Sequence, residues 1–156
     1  MLEWDEIKSD FSKDGSLRDI YIVGMEADDY PKFFDFIGDY MEKVSFTFEG
    51  KKLPIPQTFS EARETTEETG AMLQMTMGDF EFHVYFRIME EIEIDFWPWF
   101  VTKRNYQQLL NFIRDCGRAL VKDVVITPEM QDREPFIRYC FQKDRVSRSR
   151  AANPRP

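Results

Sequence analysis

The chain is poor in the residues from which most active sites are built. It holds one histidine, His83, and two cysteines, Cys116 and Cys140, in 156 residues. No CxxC pair and no metal-ligand spacing relates the two cysteines, so they read as buried free thiols of a reducing compartment. One histidine among scattered acids is a weak metal centre, and no metal or other cofactor is expected. Nucleophilic catalysis needs Ser, Cys or Thr beside a base held by a third group. With one histidine the choice narrows to Cys140 or a serine meeting His83, and nothing in the spacing joins them. There is no glycine-rich phosphate loop and no Rossmann or Walker pattern. Glu93 and Asp95 sit about 7 Å apart on one face of a strand, within glycosidase range, but an open sheet face lacks a cleft. No catalytic residue is assigned.

Long apolar runs are missing too, none approaching the ~18 residues of a membrane span. Met1 is followed by Leu-Glu-Trp-Asp-Glu rather than by a leader pattern, so the expectation is a cytoplasmic protein with no membrane partner. Positive charge is scarce: net charge is −8. Residues 144–156 hold four arginines against one aspartate, +3, which leaves −11 on residues 1–143. A body that acidic disfavours duplex nucleic acid and favours a basic protein partner.

What is abundant is aromatic and methionine side chains, fifteen Phe and eight Met, enough for one domain with its own core. The organising stretch is Ala71 to Trp97. Leu73, Met75 and Met77, then Phe80 to Ile88 at even positions, then Ile92, Ile94 and Phe96, alternate with polar residues. Alternation over this length predicts three half-buried antiparallel strands. Gly78-Asp79 fits a two-residue type II′ hairpin that pairs Met77 with Phe80 and Leu73 with Val84. For the second hairpin the same rule rejects a two-residue turn at Met89-Glu90, which sets Ile88 against Glu91. A three-residue loop, Met89 to Glu91, pairs Ile88 with Ile92 and Val84 with Phe96. On the outer face, Gln74, His83 and Trp97 then form one row and Met72, Tyr85 and Asp95 the next, with Arg87 opposite Glu93.

The rest follows in order. Trp4, Ile7 and Phe11 form the stripe of a short helix. Arg18 to Val23 is a strand. A helix capped by Asp28 or Asp29, with Pro31 in its first turn, runs to about Met41. Val44 to Glu49 is a strand, and Leu53-Pro54-Ile55-Pro56 is extended but not central. Ser60 to Thr69 is a short exposed helix or a mobile loop. The longest helix starts at Thr102 or Lys103 and ends near Val121, with Gly117 marking a close crossing or an early end. Val124 to Thr127 and Phe136 to Phe141 are strands.

The expectation is an α+β domain over residues 1–143, a single mainly antiparallel sheet of about five to six strands with helices on one face. A disordered Arg-rich tail is expected over 144–156. Trp4, Ile7, Asp10 and Phe11, followed by Asp14-Gly15-Ser16-Leu17-Arg18-Asp19-Ile20-Tyr21, resemble the opening of a small bacterial domain family without established activity. A helix near Asn111 and Thr127-Pro128-Glu129 extend the likeness over most of the chain. In size and acidity the chain is also similar to the immunity proteins that neutralise bacterial toxin domains. The functional expectation is non-enzymatic binding of a basic protein, such as a toxin or nuclease domain, through the acidic outer face. Tyr21, His83, Tyr85, Asp95 and Trp97 are the expected anchors. The alternatives are a small enzyme or ligand-binding protein using the His83 region, and a homodimer joined through the same face.

Overall fold

A computed structural model describes residues 2–129 and 134–149. The chain is α+β, with four helices and a single antiparallel sheet among the described residues. The strands are β1 (Arg18–Val23), β2 (Lys43–Phe48), β3 (Lys51–Leu53), β4 (Met72–Met77), β5 (Phe80–Ile88), β6 (Glu91–Phe96), β7 (Val124–Pro128), β8 (Ile137–Cys140) and β9 (Arg145–Arg148). Their order across the sheet is β3-β2-β4-β5-β6-β1-β7-β8-β9. The helices are α1 (Trp4–Ile7), continued by a 3-10 turn to Phe11, α2 (Asp29–Tyr40), α3 (Phe59–Thr69) and α4 (Tyr106–Leu120).

Nine strands replace the expected five to six, and the sheet reaches into the segment expected to be disordered. Both corrections have local causes. At one edge, Glu49 and Gly50 both take positive φ (51° and 77°), the geometry of a tight hairpin, which pairs Phe48 with Lys51 and adds β3. At the other, Asp144 (φ 48°) ends the turn after β8. Its carboxylate accepts from Arg118 Nε at 2.7 Å and from the Tyr139 hydroxyl at 2.7 Å. That anchor folds Arg145–Arg148 back onto β8. Residues 150–156 lie outside the described residues.

The β4–β5 hairpin has the expected register, Met77 to Phe80 and Leu73 to Val84, with Gly78 at φ 58°. The β5–β6 hairpin does not. Its turn is the rejected one: Ile88 pairs with Glu91, and Tyr85 pairs with Glu93. Between those pairs, Phe86 and Arg87 stand against Ile92 alone. This is a β-bulge, and the extra residue keeps Val84 opposite Ile94 on the core side. Ile88 beyond it is exposed.

Inward rings of the sheet meet rings of the helices. Phe82 lies 5.5 Å from Phe112 of α4, Phe86 5.6 Å from Phe34 of α2, and Phe36 of α2 6.3 Å from Phe112. Ser60 to Thr69 is helical. Thr58 caps α3 by accepting from the Glu61 N–H at 3.1 Å, and Gly70 ends it with φ 82°. No helix among the described residues is long and apolar enough to cross a membrane.

Candidate polar and aromatic face

The face of the sheet away from the helix rings carries the residues of opposite parity. Register places Gln74, His83, Asp95, Asp19 and Thr127 side by side on β4, β5, β6, β1 and β7. One pair along lie Tyr85, Glu93, Tyr21, Val125 and Arg138. Asp95, not Trp97, therefore stands beside His83. The shorter turn and the bulge are the reason, because each moves β6 by one residue against the expected rows, two in all.

The expected anchors share this parity but differ in access. His83, Tyr85 and Trp97 are half-buried, whereas Tyr21 and Asp95 are buried. Asp19, Glu93 and Asp95 are only 1, 8 and 6% exposed. Three carboxylates thus sit below the surface at the centre of a face expected to be an open one. The sequence reading weighed Glu93 with Asp95 and set it opposite Arg87 but named neither Glu93 nor Asp19 as an anchor, because polar residues at outward parity look solvated.

Most of these groups are tied together. His83 Nδ1 lies 3.5 Å from Asp95 Oδ1. Asp95 also acts on the Tyr85 hydroxyl, which its charge helps keep protonated. Arg87 Nε donates to Glu93 Oε1 at 3.0 Å, and its guanidinium lies 4.8 Å from the centre of the Tyr85 ring. The Tyr21 hydroxyl donates to Asp19 Oδ2 at 3.4 Å.

The electrostatics follow. The hydrogen bond to Asp95 raises the His83 pKa above its ordinary 6.5; the charges of Asp95 and Glu81 add to this, and burial opposes it. Tyr85 is pushed up by burial first and by Asp95 second, so it stays a neutral phenol. Among the described residues, no three His, Cys, Asp or Glu are grouped so as to hold a metal ion.

Trp97 marks the end of the β6 ladder. Its ring stacks on that of Trp99, centroids 4.5 Å apart and planes 15° apart. Lys13 Nζ lies 5.3 Å from the centre of the Trp99 ring. Trp99 and Lys13 had no signal in the alternation pattern, because Pro98 ends it.

Comparison of the chain with protein-family models, curated proteins and solved structures found no match to any of the three.

Proposed function

We propose that the chain is a non-enzymatic binding domain whose partner is a basic protein, with the accessible part of the acidic outer face, on β4, β5 and the end of β6, as the contact. An immunity or inhibitor role toward a basic toxin or nuclease domain is the concrete form. The observation that carries this reading is the set of three buried carboxylates, Asp19, Glu93 and Asp95, on adjacent strands of that face. Charges set in a low-dielectric layer are screened less than surface charges; Arg87 on Glu93 and His83 beside Asp95 offset part of this charge, and the net-acidic chain around them supplies the negative potential that steers a basic partner. Above the carboxylates, His83, Tyr85 and Trp97 form a rim of rings, held by the Asp95 carboxylate beside His83, the Arg87 guanidinium over Tyr85 and the stacking of Trp97 on Trp99. Rigid aromatic anchors over complementary charge are what protein interfaces use.

The contact is tested at exposed positions that the fold does not need. Gln74 and Glu81 are exposed on β4 and β5. Affinity-tagged chain, captured from cells with its partner, is compared with a Gln74→Lys, Glu81→Lys double variant. The expected partner is basic and binds the variant at least about tenfold more weakly, with affinity falling as salt rises. Equal binding of the same partner by the double variant would falsify the proposal.

A further inference from the structure

The geometry points to the Trp97–Trp99 slab as a seat for a cationic side chain, an arginine of the partner protein, held in the free chain by Lys13. The inference rests on the outer face being the docking surface for a basic protein, and it adds the specific group recognised there.

The slab is rigid and open at once. Pro98 is buried at the start of a 3-10 turn that runs to Phe100, and the Phe100 N–H donates back to the Trp97 carbonyl at 3.1 Å. Asn105 Nδ2 donates to the Phe100 carbonyl at 2.7 Å, which holds the turn from behind. Trp99 nevertheless remains 43% exposed. A stacked indole pair fixed by its own backbone loses little freedom when a ligand is laid on it.

Charge says what the ligand is. The chain's own cation already occupies the Trp99 face: Lys13 lies over the ring, although acids outnumber bases by 29 to 21. Among the described residues Lys13 makes no ion pair, so the ring is its partner. On β5, Glu81 is exposed and shares the parity of His83. Just before β1, Glu129 Oε1 accepts from the Leu17 N–H at 2.8 Å. An exposed indole face that already holds a cation, on a chain of net charge −8, suits a delocalised cation, and a planar guanidinium both stacks and pairs with carboxylates where an ammonium only pairs.

The test uses nona-arginine as the probe, nona-lysine as its comparison, and the full chain. Binding is followed by calorimetry and by the NMR signals of the Lys13 side-chain methylenes, which ring current from Trp99 moves upfield in the free chain. Nona-arginine should bind several-fold more tightly than nona-lysine, and at saturation the Lys13 signals should return to the positions of a solvated lysine. Trp99→Ala should weaken nona-arginine at least tenfold, Trp99→Phe less, and Lys13→Gln should strengthen it about two- to threefold. Lys13 signals that stay shifted at saturation, or unchanged affinity in Trp99→Ala, overturn the seat. If Gln74→Lys, Glu81→Lys still loses the peptide while Trp99→Ala keeps it, the acidic face stands without the seat. No binding of nona-arginine by the unmodified chain overturns both.

Discussion

Gly117 of α4 and Tyr139 of β8 approach so closely that no methyl group fits between them. A Cβ built on Gly117 would lie 2.3 Å from Tyr139 Cδ2 and 2.8 Å from the Lys122 carbonyl oxygen. Of the two sequence readings of this glycine, close crossing and early helix end, the first is the one observed, since α4 continues to Leu120. The crossing also fixes the far end of the sheet, because Tyr139 is fully buried and its hydroxyl donates to Asp144 in the turn that launches β9.

Gly117→Ala sets two effects against each other. Alanine gains about 1 kcal/mol of helix propensity, while overpacking costs about 1–3 kcal/mol or more when backbone is among the atoms struck. The clash wins, because the Lys122 carbonyl cannot rotate aside as a side chain can. Urea unfolding should show a net loss of about 1–2 kcal/mol. A variant as stable as the parent would mean the crossing is looser than described.

His83 gives the pH dependence of the face. Its folded pKa is raised, chiefly by the hydrogen bond to Asp95. A raised base binds its proton more tightly in the folded state. Its stabilising contribution is therefore fully present below the ordinary value near 6.5 and is lost as pH rises through the higher folded value. As the sole histidine, it can be titrated by NMR without assignment. The midpoint should lie above 6.5 and fall in Asp95→Asn. The stability difference between the parent and His83→Gln should shrink between pH 6 and 8. A difference that grows with pH has the wrong sign.

How far the alternation pattern reaches can be judged strand by strand. Parity and the Gly78 turn together determine β4 against β5, and that register is found. For β5 against β6 the same parity argument fails, because Phe80 to Ile88 alternates without a break and conceals the bulge at Phe86 and Arg87. The argument required Ile88 to be inward, but Ile88 pairs with Glu91 and is exposed. The edge strands β3 and β9 were illegible for another reason. Lys51-Lys52-Leu53 and Arg145 to Arg148 have too few apolar positions to show a period, and contacts distant in sequence, such as Arg118 to Asp144, decide their fate. The site was half legible: residue types and parity pointed to His83, Tyr85 and Asp95, while burial of the carboxylates beneath them depends on neighbours that one strand cannot reveal.

Val121 ends α4 in the left-handed region at φ 59°, ψ 49°, and its isopropyl group is 56% exposed. A β-branched residue in this conformation crowds its own carbonyl, a cost of roughly 1–2 kcal/mol, and glycine is the usual occupant of such a helix end. Little apolar burial is lost by truncation here, so Val121→Gly should be stabilising. After the greater chain entropy of an unfolded glycine is subtracted, the expected gain is about 0.5–1 kcal/mol. It should appear as a higher denaturation midpoint with an unchanged m-value. A lower midpoint would show that Val121 makes contacts its exposure does not suggest.

The two ends of the described chain are clasped by a charge pair. Arg148 of β9 donates from Nη2 to Asp10 Oδ1 at 2.8 Å and from Nη1 to the Glu6 carbonyl. Asp10 is 7% exposed, and its other oxygen, Oδ2, is enclosed without a hydrogen-bond partner among the described residues. Burial raises the Asp10 pKa, and Arg148 only partly opposes the rise. A raised acid favours folding while it is protonated, below the ordinary 3.8, and that contribution is lost as pH climbs through the folded value. Removing the arginine makes the carboxylate costlier still. Arg148→Met should lose about 1–2 kcal/mol at pH 7, the lower part of the range for a broken buried pair because Arg148 is partly solvated. The loss should shrink as pH falls toward 4. Adding Asp10→Asn to that background should recover part of it, since the charge is then gone. Amide exchange should accelerate first in residues 4–11 and 145–148. A loss that is independent of pH, or exchange that speeds up uniformly along the chain, would show that Arg148 stabilises by packing rather than by holding Asp10.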